Sequence, residues 1–342
     1  MQKRIPTEDL NYIASSLDDV IPALSNSRIF ITGGTGFFGK WILETILFLN
    51  ENYKTNCSVV VLTRNPEQFK NNYLQFNNTS ITYLNGDIKD FSFPEGEFKY
   101  CIHAAAETAK LEKTDELDVL GSIYGGTQRV LEFAKEKNIK STLYVSSGAV
   151  YGKQPPELKL IPEEYNGSPD TMNLRSAYGE GKRLGEFLCN YYGKKFDLPI
   201  KIARCFAFIG PYLPLDAHFA CGNFIRNCIT KEPIRINGDG TTIRSYMYAA
   251  DLTICLFKTL IHGDNLSPYN IGSSEEISIA QLAKKIASHF SPSPEIITSP
   301  KKITNNLPER YVPDNNKIIN KLSIKKQIDI DEAIKRTVEF YK

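Results

Sequence analysis

The chain has little of what marks a membrane, secreted or metal-binding protein. No apolar run approaches the roughly 18 residues that a membrane-spanning helix requires, so no membrane association is expected. The first 26 residues lack a basic start followed by an apolar core, and no secretory signal is expected there. The seven cysteines (Cys57, Cys101, Cys189, Cys205, Cys221, Cys228, Cys255) are odd in number, scattered, and form no CxxC pair. That pattern argues against disulfides or zinc and for mostly buried thiols kept reduced in the cytoplasm. The four histidines, His103, His218, His262 and His289, fall at no ligand spacing, so no metal is expected. An excess of one charge is also missing. The 41 Lys and Arg against 39 Asp and Glu leave +2 at pH 7, dispersed along the chain, which gives no case for a nucleic-acid partner. No internal repeat or low-complexity tract is visible among the 342 residues.

What is present is most concentrated between Arg28 and Leu49. An apolar strand (Ile29 to Ile31) runs into Gly33, Gly36 and Gly39, spaced three apart, and then into a helical pattern of Trp41, Ile42, Thr45, Ile46 and Leu49. A tight turn uses glycine's backbone freedom, and a pyrophosphate approaches closely only where a side chain is missing. The helix start adds free N–H groups and the positive end of its dipole. Further along, strand patterns at 58–63, 81–84, 100–106, 142–146 and 200–206 alternate with helical ones at 120–137 and 178–192. Alternation of that kind predicts an α/β chain with a doubly wound parallel sheet. A ligand would then lie across the carboxyl ends of the strands.

Three segments are expected. Residues 1–26 form a helical extension on the outside of the main domain, and 27–210 form the dinucleotide-binding domain. Residues 211–342 are mainly a smaller C-terminal substrate-binding lobe, with about 240–262 returning to the main domain. A helix is expected over 279–290, and a loop with one short strand over 292–313.

Tyr178 and Lys182 lie four apart, on one face of a helix. A neighbouring ammonium favours the phenolate and would bring a tyrosine from about 10 toward neutrality, which suits acid–base work on an alcohol or ketone. A Tyr-x-x-x-Lys pair taken alone is more often a solvated helix face. Here Gly179 and Gly181 weaken the helix and imply that something packs closely against it. Ser147 ends a strand on the carboxyl edge of the sheet, either as a turn-capping serine or as a hydroxyl sharing the substrate oxygen with Tyr178.

These motifs together resemble the extended short-chain dehydrogenase/reductases, specifically the NAD-dependent epimerase/dehydratase family acting on nucleotide sugars. The resemblance runs from about Arg28 to the C-terminus. It is carried by Thr32 to Gly39, Gly86-Asp87-Ile88, His103 to Ala106, Ser146 to Gly152, Tyr178 with Lys182, Gly238-Asp239-Gly240 with Arg244, and Tyr269 to Gly272. It implies a Rossmann domain with NAD(P) held by Gly33, Thr35, Gly36, Phe37, Phe38, Gly39, Arg64, Asp87, Ile88, Ala104, Ala105, Ala106, Tyr178 and Lys182. Asp87 would touch the adenine. Ser147, Tyr178 and Lys182 would be catalytic. Thr108, Ser147, Asn223, Arg244 and Arg310 would hold the nucleotide sugar, the two arginines by bidentate phosphate contact. A cytoplasmic homodimer is also implied, built partly from the helix bearing the Tyr-Lys pair through Leu184, Phe187, Leu188 and Tyr191. Those four residues could equally be core.

Departures from the family pattern narrow the reaction. Sugar 4,6-dehydratases resemble one another in an Asp-Glu pair just after the catalytic Ser or Thr, and the family's decarboxylases keep a glutamate there. Gly148 and Ala149 stand in those places and transfer no proton, which argues against 4,6-dehydration unless another carboxylate such as Glu107 substitutes. Ile123 and Ala207 replace family asparagines. The strand at 58–63 ends in Leu62-Thr63-Arg64-Asn65 with no acid for a ribose 2′-hydroxyl, and Arg64 suits a 2′-phosphate, favouring NADP(H) over NAD(H). The expected function is a 4-ketoreductase that finishes a deoxysugar nucleotide. A 4-epimerase is the close alternative. A 4,6-dehydratase or a decarboxylase is further off, although Tyr178-Gly179-Glu180-Gly181-Lys182-Arg183 looks like the decarboxylases. A dinucleotide-sensing binding protein is the non-enzymatic alternative, disfavoured because Tyr178 and Lys182 are both present.

Overall fold

Continuous β-branched runs such as Ser58–Thr63 are apolar toward both faces, and such strands are stable only inside a sheet covered on both sides. The computed structural model describes residues 3–106, 114–217, 219–299, 307–324 and 327–342. Its strands are β1 (Arg28–Thr32), β2 (Ser58–Thr63), β3 (Ile81–Asn85), β4 (Tyr100–His103), β5 (Ser141–Ser147), β6 (Ile200–Cys205) and β7 (Phe208–Ile209), then β8 (Ile234–Ile236), β9 (Ile243–Arg244), β10 (Met247–Tyr248), β11 (Pro268–Ile271), β12 (Ile277–Ser278), β13 (Ile296–Thr298) and β14 (Arg310–Tyr311). The α-helices are α1 (Thr7–Ser16), α2 (Ile21–Leu24), α3 (Phe37–Tyr53), α4 (Pro66–Asn72), α5 (Glu116–Glu136), α6 (Ala177–Phe196), α7 (Ala220–Ile229), α8 (Ala249–His262), α9 (Ile279–Ser288), α10 (Asn316–Lys321) and α11 (Ile330–Tyr341).

Seven parallel strands make the main sheet, in the order β11-β6-β5-β4-β1-β2-β3. The order reverses between β1 and β4, which opens a crevice at the carboxyl ends where ligands bind in doubly wound folds. Helices α3 and α8 cover one face, and α5 and α6 pack together over the other. The doubly wound sheet expected from the alternation is therefore present. Its edge strand β11 comes from a segment beyond the 240–262 stretch expected to return to the main domain.

The N-terminal extension is not peripheral. Its apolar residues Ile13, Leu17 and Val20 are fully buried, and α1 lies against α3 and α8. Polar hooks hold it there. The Tyr248 hydroxyl donates to Asp9 Oδ2 at 2.5 Å, and Tyr12 donates to Asp251 Oδ1 at 2.6 Å. Lys258 Nζ donates to Asp19 at 3.0 Å.

Beyond the main sheet, β8 pairs with β13, and β9 lies between β12 and β14. The 292–313 stretch thus yields two strands rather than one. Both are short and paired with segments distant in sequence, so no local periodicity announces them. All seven cysteines are buried and free of disulfides. Among the described residues no helix is long and apolar enough to cross a membrane, and no acidic, cysteine and histidine group is placed to hold a metal ion.

Candidate active site

The glycine turn connects β1 to α3, and its three glycines do different work. Gly33 adopts φ +74°, and a Cβ there would stand 2.6 Å from the Ala104 carbonyl group. A Cβ on Gly39 would stand 2.3 Å from Gly34, so this glycine permits close packing of helix on turn. Gly36, the N-cap of α3, is exposed, and a Cβ would meet only the Gly33 carbonyl at 3.3 Å. Its open side and the free N–H groups of α3 form a cradle that fits a pyrophosphate.

The other cofactor candidates follow the neighbouring strands at the same edge. Arg64 is exposed after β2, Asp87 and Ile88 follow β3, and Ala104 to Ala106 follow β4. Ala105 N–H donates to Thr32 Oγ1 at 3.2 Å, tying the ends of β1 and β4. Asp87 Oδ1 accepts from Lys89 N–H at 3.0 Å. Ile88 fills the space beside Gly126, where a Cβ would stand 2.7 Å from Ile88 Cγ1. Thr35 and Phe37 flank Gly36, and Phe38 meets Phe208 edge-to-face at 5.1 Å. His103, assigned no role from the sequence, is buried with Nδ1 2.7 Å from Thr32 Oγ1 and Nε2 3.1 Å from Thr127 Oγ1. Burial, with the Lys182 charge second, pushes it down to about 3, so it is a neutral pin between sheet and helix.

Ser147 ends β5, and Tyr178 and Lys182 stand on the first turns of α6, which packs against that strand. Ser147 also caps the following turn, its Oγ accepting from Ala149 N–H at 3.1 Å. Ser147 is the polar side chain that draws the Tyr178 phenol down, against its burial. Helix α6 comes this close because it carries glycines. Cβ atoms at Gly179 and Gly185 would stand 2.8 Å from the Ala149 carbonyl oxygen and 2.0 Å from the Tyr144 hydroxyl.

One electrostatic expectation is corrected. Burial pushes the Tyr178 phenol up to about 12, opposed by Ser147, rather than toward neutrality. Lys182 is itself buried and pushed down to about 8. Its ammonium donates to the Val145 carbonyl at 2.7 Å and sits 6.0 Å from the Tyr178 ring centroid. Desolvation therefore outweighs the help that a neighbouring cation was expected to give.

Two groups of site residues escaped the sequence reading. Glu186 accepts from Ser146 Oγ at 2.6 Å and from Arg204 at 2.7 Å, and Arg204 also donates to the Tyr151 hydroxyl at 2.8 Å. This network braces β5 behind Ser147. Its signal was Glu186 standing four residues after Lys182. The second is Tyr311, whose hydroxyl would stand 2.5 Å from a Cβ on Gly148 and whose ring lies 4.7 Å from that of Phe206.

The substrate candidates separate. Arg244 is the register partner of Tyr311, its guanidinium 5.9 Å from that ring, at the edge of the site. Consecutive strand residues face opposite ways. Arg310 accordingly points from Tyr311's neighbour position to an ion pair with Glu276 and to the Lys159 carbonyl at 3.4 Å. The structure thus gives Arg310 a carboxylate partner where a phosphate was expected. Asn223 lies on α7, half-buried. Thr108 lies outside the described residues.

Comparisons with known proteins agree with this layout. A family model described as "NAD dependent epimerase/dehydratase family" matches residues 29–272. The chain is 28% identical over 294 residues to UDP-glucuronic acid decarboxylase 4 of Arabidopsis thaliana, covering 85% of the chain but 63% of that protein. Among solved structures it is similar to UDP-glucose 4-epimerase with UDP-glucose from Thermotoga maritima (TM-score 0.77, 22% identity, 92% of this chain and 98% of that one). It is also similar to UDP-glucuronic acid 4-epimerase from Bacillus cereus in complex with NAD (TM-score 0.76, 22% identity, 92% and 96%).

Proposed function

We propose, for a chain that belongs to the NAD-dependent epimerase/dehydratase family of the extended short-chain dehydrogenase/reductases, a C4 redox reaction on a nucleotide-activated sugar. The reading we favour is a 4-ketoreductase that makes a deoxysugar nucleotide, acting as a cytoplasmic homodimer. The observation that carries it is the turn after Ser147. Gly148 and Ala149 bring no carboxylate to the site, while Ser147, Tyr178 and Lys182 are together. A site so equipped moves a proton on one sugar oxygen, and this turn brings no second acid–base pair for dehydration; Glu107, the carboxylate that would have to substitute, lies outside the described residues. The same gap weighs against decarboxylation, the activity named for the Arabidopsis relative.

The cradle at Gly36 would hold the cofactor pyrophosphate, with Asp87 and Ala104 to Ala106 beside the rest of the dinucleotide. When bound, the nicotinamide supplies or accepts the hydride at the sugar carbon. The Tyr178 hydroxyl gives a proton to the sugar oxygen in reduction and takes one in oxidation. Ser147 orients that oxygen, Lys182 lies behind Tyr178, and Arg244 offers a planar fork to the diphosphate. Incubation with a 4-keto-6-deoxy nucleotide sugar and NADPH tests the reading. Cofactor oxidation supports it. Interconversion of two nucleotide hexoses without net cofactor use would replace it with the epimerase, the activity named for the Thermotoga neighbour.

Arg64 supports NADP(H) within this reading, because β2 ends without an acid to repel a 2′-phosphate. Arg64→Glu is expected to weaken NADPH binding at least tenfold and to leave NADH binding within about threefold, a contrast of at least about 0.7 kcal/mol by fluorescence titration. Equal losses for both cofactors would remove Arg64 from the preference.

The dimer rests on α6. Phe187 and Tyr191 are 61% and 47% exposed, and Leu184 is at 36%, whereas Leu188 is buried core. Three large apolar side chains facing one way form a patch that a second copy would cover. Phe187→Asp is expected to convert a dimer to monomer in sedimentation velocity with the thermal midpoint little changed. A wild-type monomer at micromolar concentration would end the proposal.

A further inference from the structure

Glu186 is the carboxylate of the site to which no chemical role has been given. It stands one turn after Lys182 on α6, and the two side chains land on consecutive residues of β5. The Lys182 ammonium donates to the Val145 carbonyl at 2.7 Å, and the Glu186 carboxylate accepts from Ser146 Oγ at 2.6 Å. Residues four apart on a helix are neighbours, so the amine and the carboxylate share one face against the same stretch of strand.

Glu186 is fixed in that place. Arg204 grips both its oxygens, Nε donating to Oε1 at 3.0 Å and Nη2 to Oε2 at 2.7 Å. Arg204 is the register partner of Ser146 on β6, so the two hooks stand side by side on the sheet. Arg204 is itself held, Nη1 donating to the Tyr151 hydroxyl at 2.8 Å and to the Glu163 carbonyl at 3.1 Å. The Arg204 and Glu186 side chains are 14% and 12% exposed, so salt and water screen their charges little.

Lys182 has need of such a neighbour. An ammonium taken out of water is costly without a counter-charge, and its bond to Val145 is to an uncharged carbonyl. The other groups around it are Tyr178 and Cys189 on α6, Tyr144 on β5, Cys205 on β6 and His103 on β4. Burial raises those phenols and thiols and lowers that imidazole, so all five are neutral at pH 7.

We propose that Glu186 is a positioning residue for Lys182: fixed by Ser146 and Arg204, its carboxylate keeps the Lys182 amine charged and seated on the Val145 carbonyl behind Tyr178. The inference rests on the reading of Tyr178 and Lys182 as the catalytic pair.

The test reads the Lys182 charge directly. The ε-carbon resonance of isotope-labelled lysine is titrated in the cofactor-free protein and assigned by its loss in Lys182→Met. Glu186→Gln keeps an oxygen for Ser146 and Arg204 but removes the charge. It is expected to lower the Lys182 midpoint by about one pH unit, a tenfold loss of ammonium at a given pH above the midpoint. Glu186→Asp, which restores the charge, should recover most of that shift. Glu186→Gln combined with Arg204→Gln leaves no unpaired buried charge, and the midpoint should fall there too, so the comparison stands even where the single variant fails to fold. A carboxylate that merely braced the sheet would lower the thermal midpoint and leave the Lys182 titration in place. An unchanged Lys182 midpoint in whichever of these charge-free variants folds would overturn the proposal. Failure of the wild-type protein to bind NADP⁺ or NAD⁺ would remove the proposed function instead, and the cofactor-free titration would still score Glu186.

Discussion

Tyr178→Phe is expected to lower kcat by about 10²- to 10⁴-fold in either direction of the reaction, the usual contribution of a positioned acid–base group. Cofactor affinity should stay within about twofold, because the ring remains. The pH dependence follows from the shifts at the site. Oxidation needs the phenolate, so its rate should climb with pH toward a group that burial holds near 12 in the cofactor-free protein. Reduction needs the phenol O–H, so its rate should be flat through neutrality and fall only at high pH. Lys182 adds a second sign. Held down to about 8, it loses its charge above that pH, and the phenolate loses the nearby cation, so the oxidative climb should flatten from about pH 8 upward. Lys182→Met should abolish that flattening while lowering the oxidative rate throughout. A reductive rate that falls with a slope of one between pH 6 and 8 in wild type would contradict this assignment.

What the sequence announced was local, and what it withheld was long-range. The glycine turn is legible because three jobs within seven residues each require a missing side chain. Tyr178 and Lys182 are legible because helical spacing places them on one face. The sign of the Tyr178 shift was not legible, because it depends on how much protein closes around the hydroxyl, and the cation it was expected to borrow is held by the Val145 carbonyl. Tyr311 was invisible for another reason. It enters the site on a two-residue strand whose partner, β9, is equally short, and neither has a period to read. The same register that brings Tyr311 inward turns Arg310 away to Glu276, so a motif match at Arg310 carried the residue type without its direction.

Asp9→Ala is expected to destabilise the fold by about 3 kcal/mol, read as a lower midpoint in urea unfolding. Asp9 is fully buried on α1 and accepts from Tyr248 at 2.5 Å and Arg336 at 2.5 Å. Removing one partner of a buried ion pair costs about 3–5 kcal/mol because the other charge is left behind. The low end applies here, since Arg336 keeps Glu332 at 2.8 Å and Glu8 at 2.9 Å. Glu8→Ala is the control. Its carboxylate is 77% exposed, and it should cost no more than about 0.5 kcal/mol. Equal effects from the two substitutions would mean that Arg336 is anchored by its surface partners and that Asp9 merely fills space. The distinction reaches the site. Tyr248 heads α8 and packs edge-to-face on Trp41 of α3 at 5.8 Å, and α3 is the helix whose first turn carries the cradle proposed for the cofactor pyrophosphate. Loss of the Asp9 carboxylate should therefore weaken cofactor binding as well as stability, which Glu8→Ala should not do.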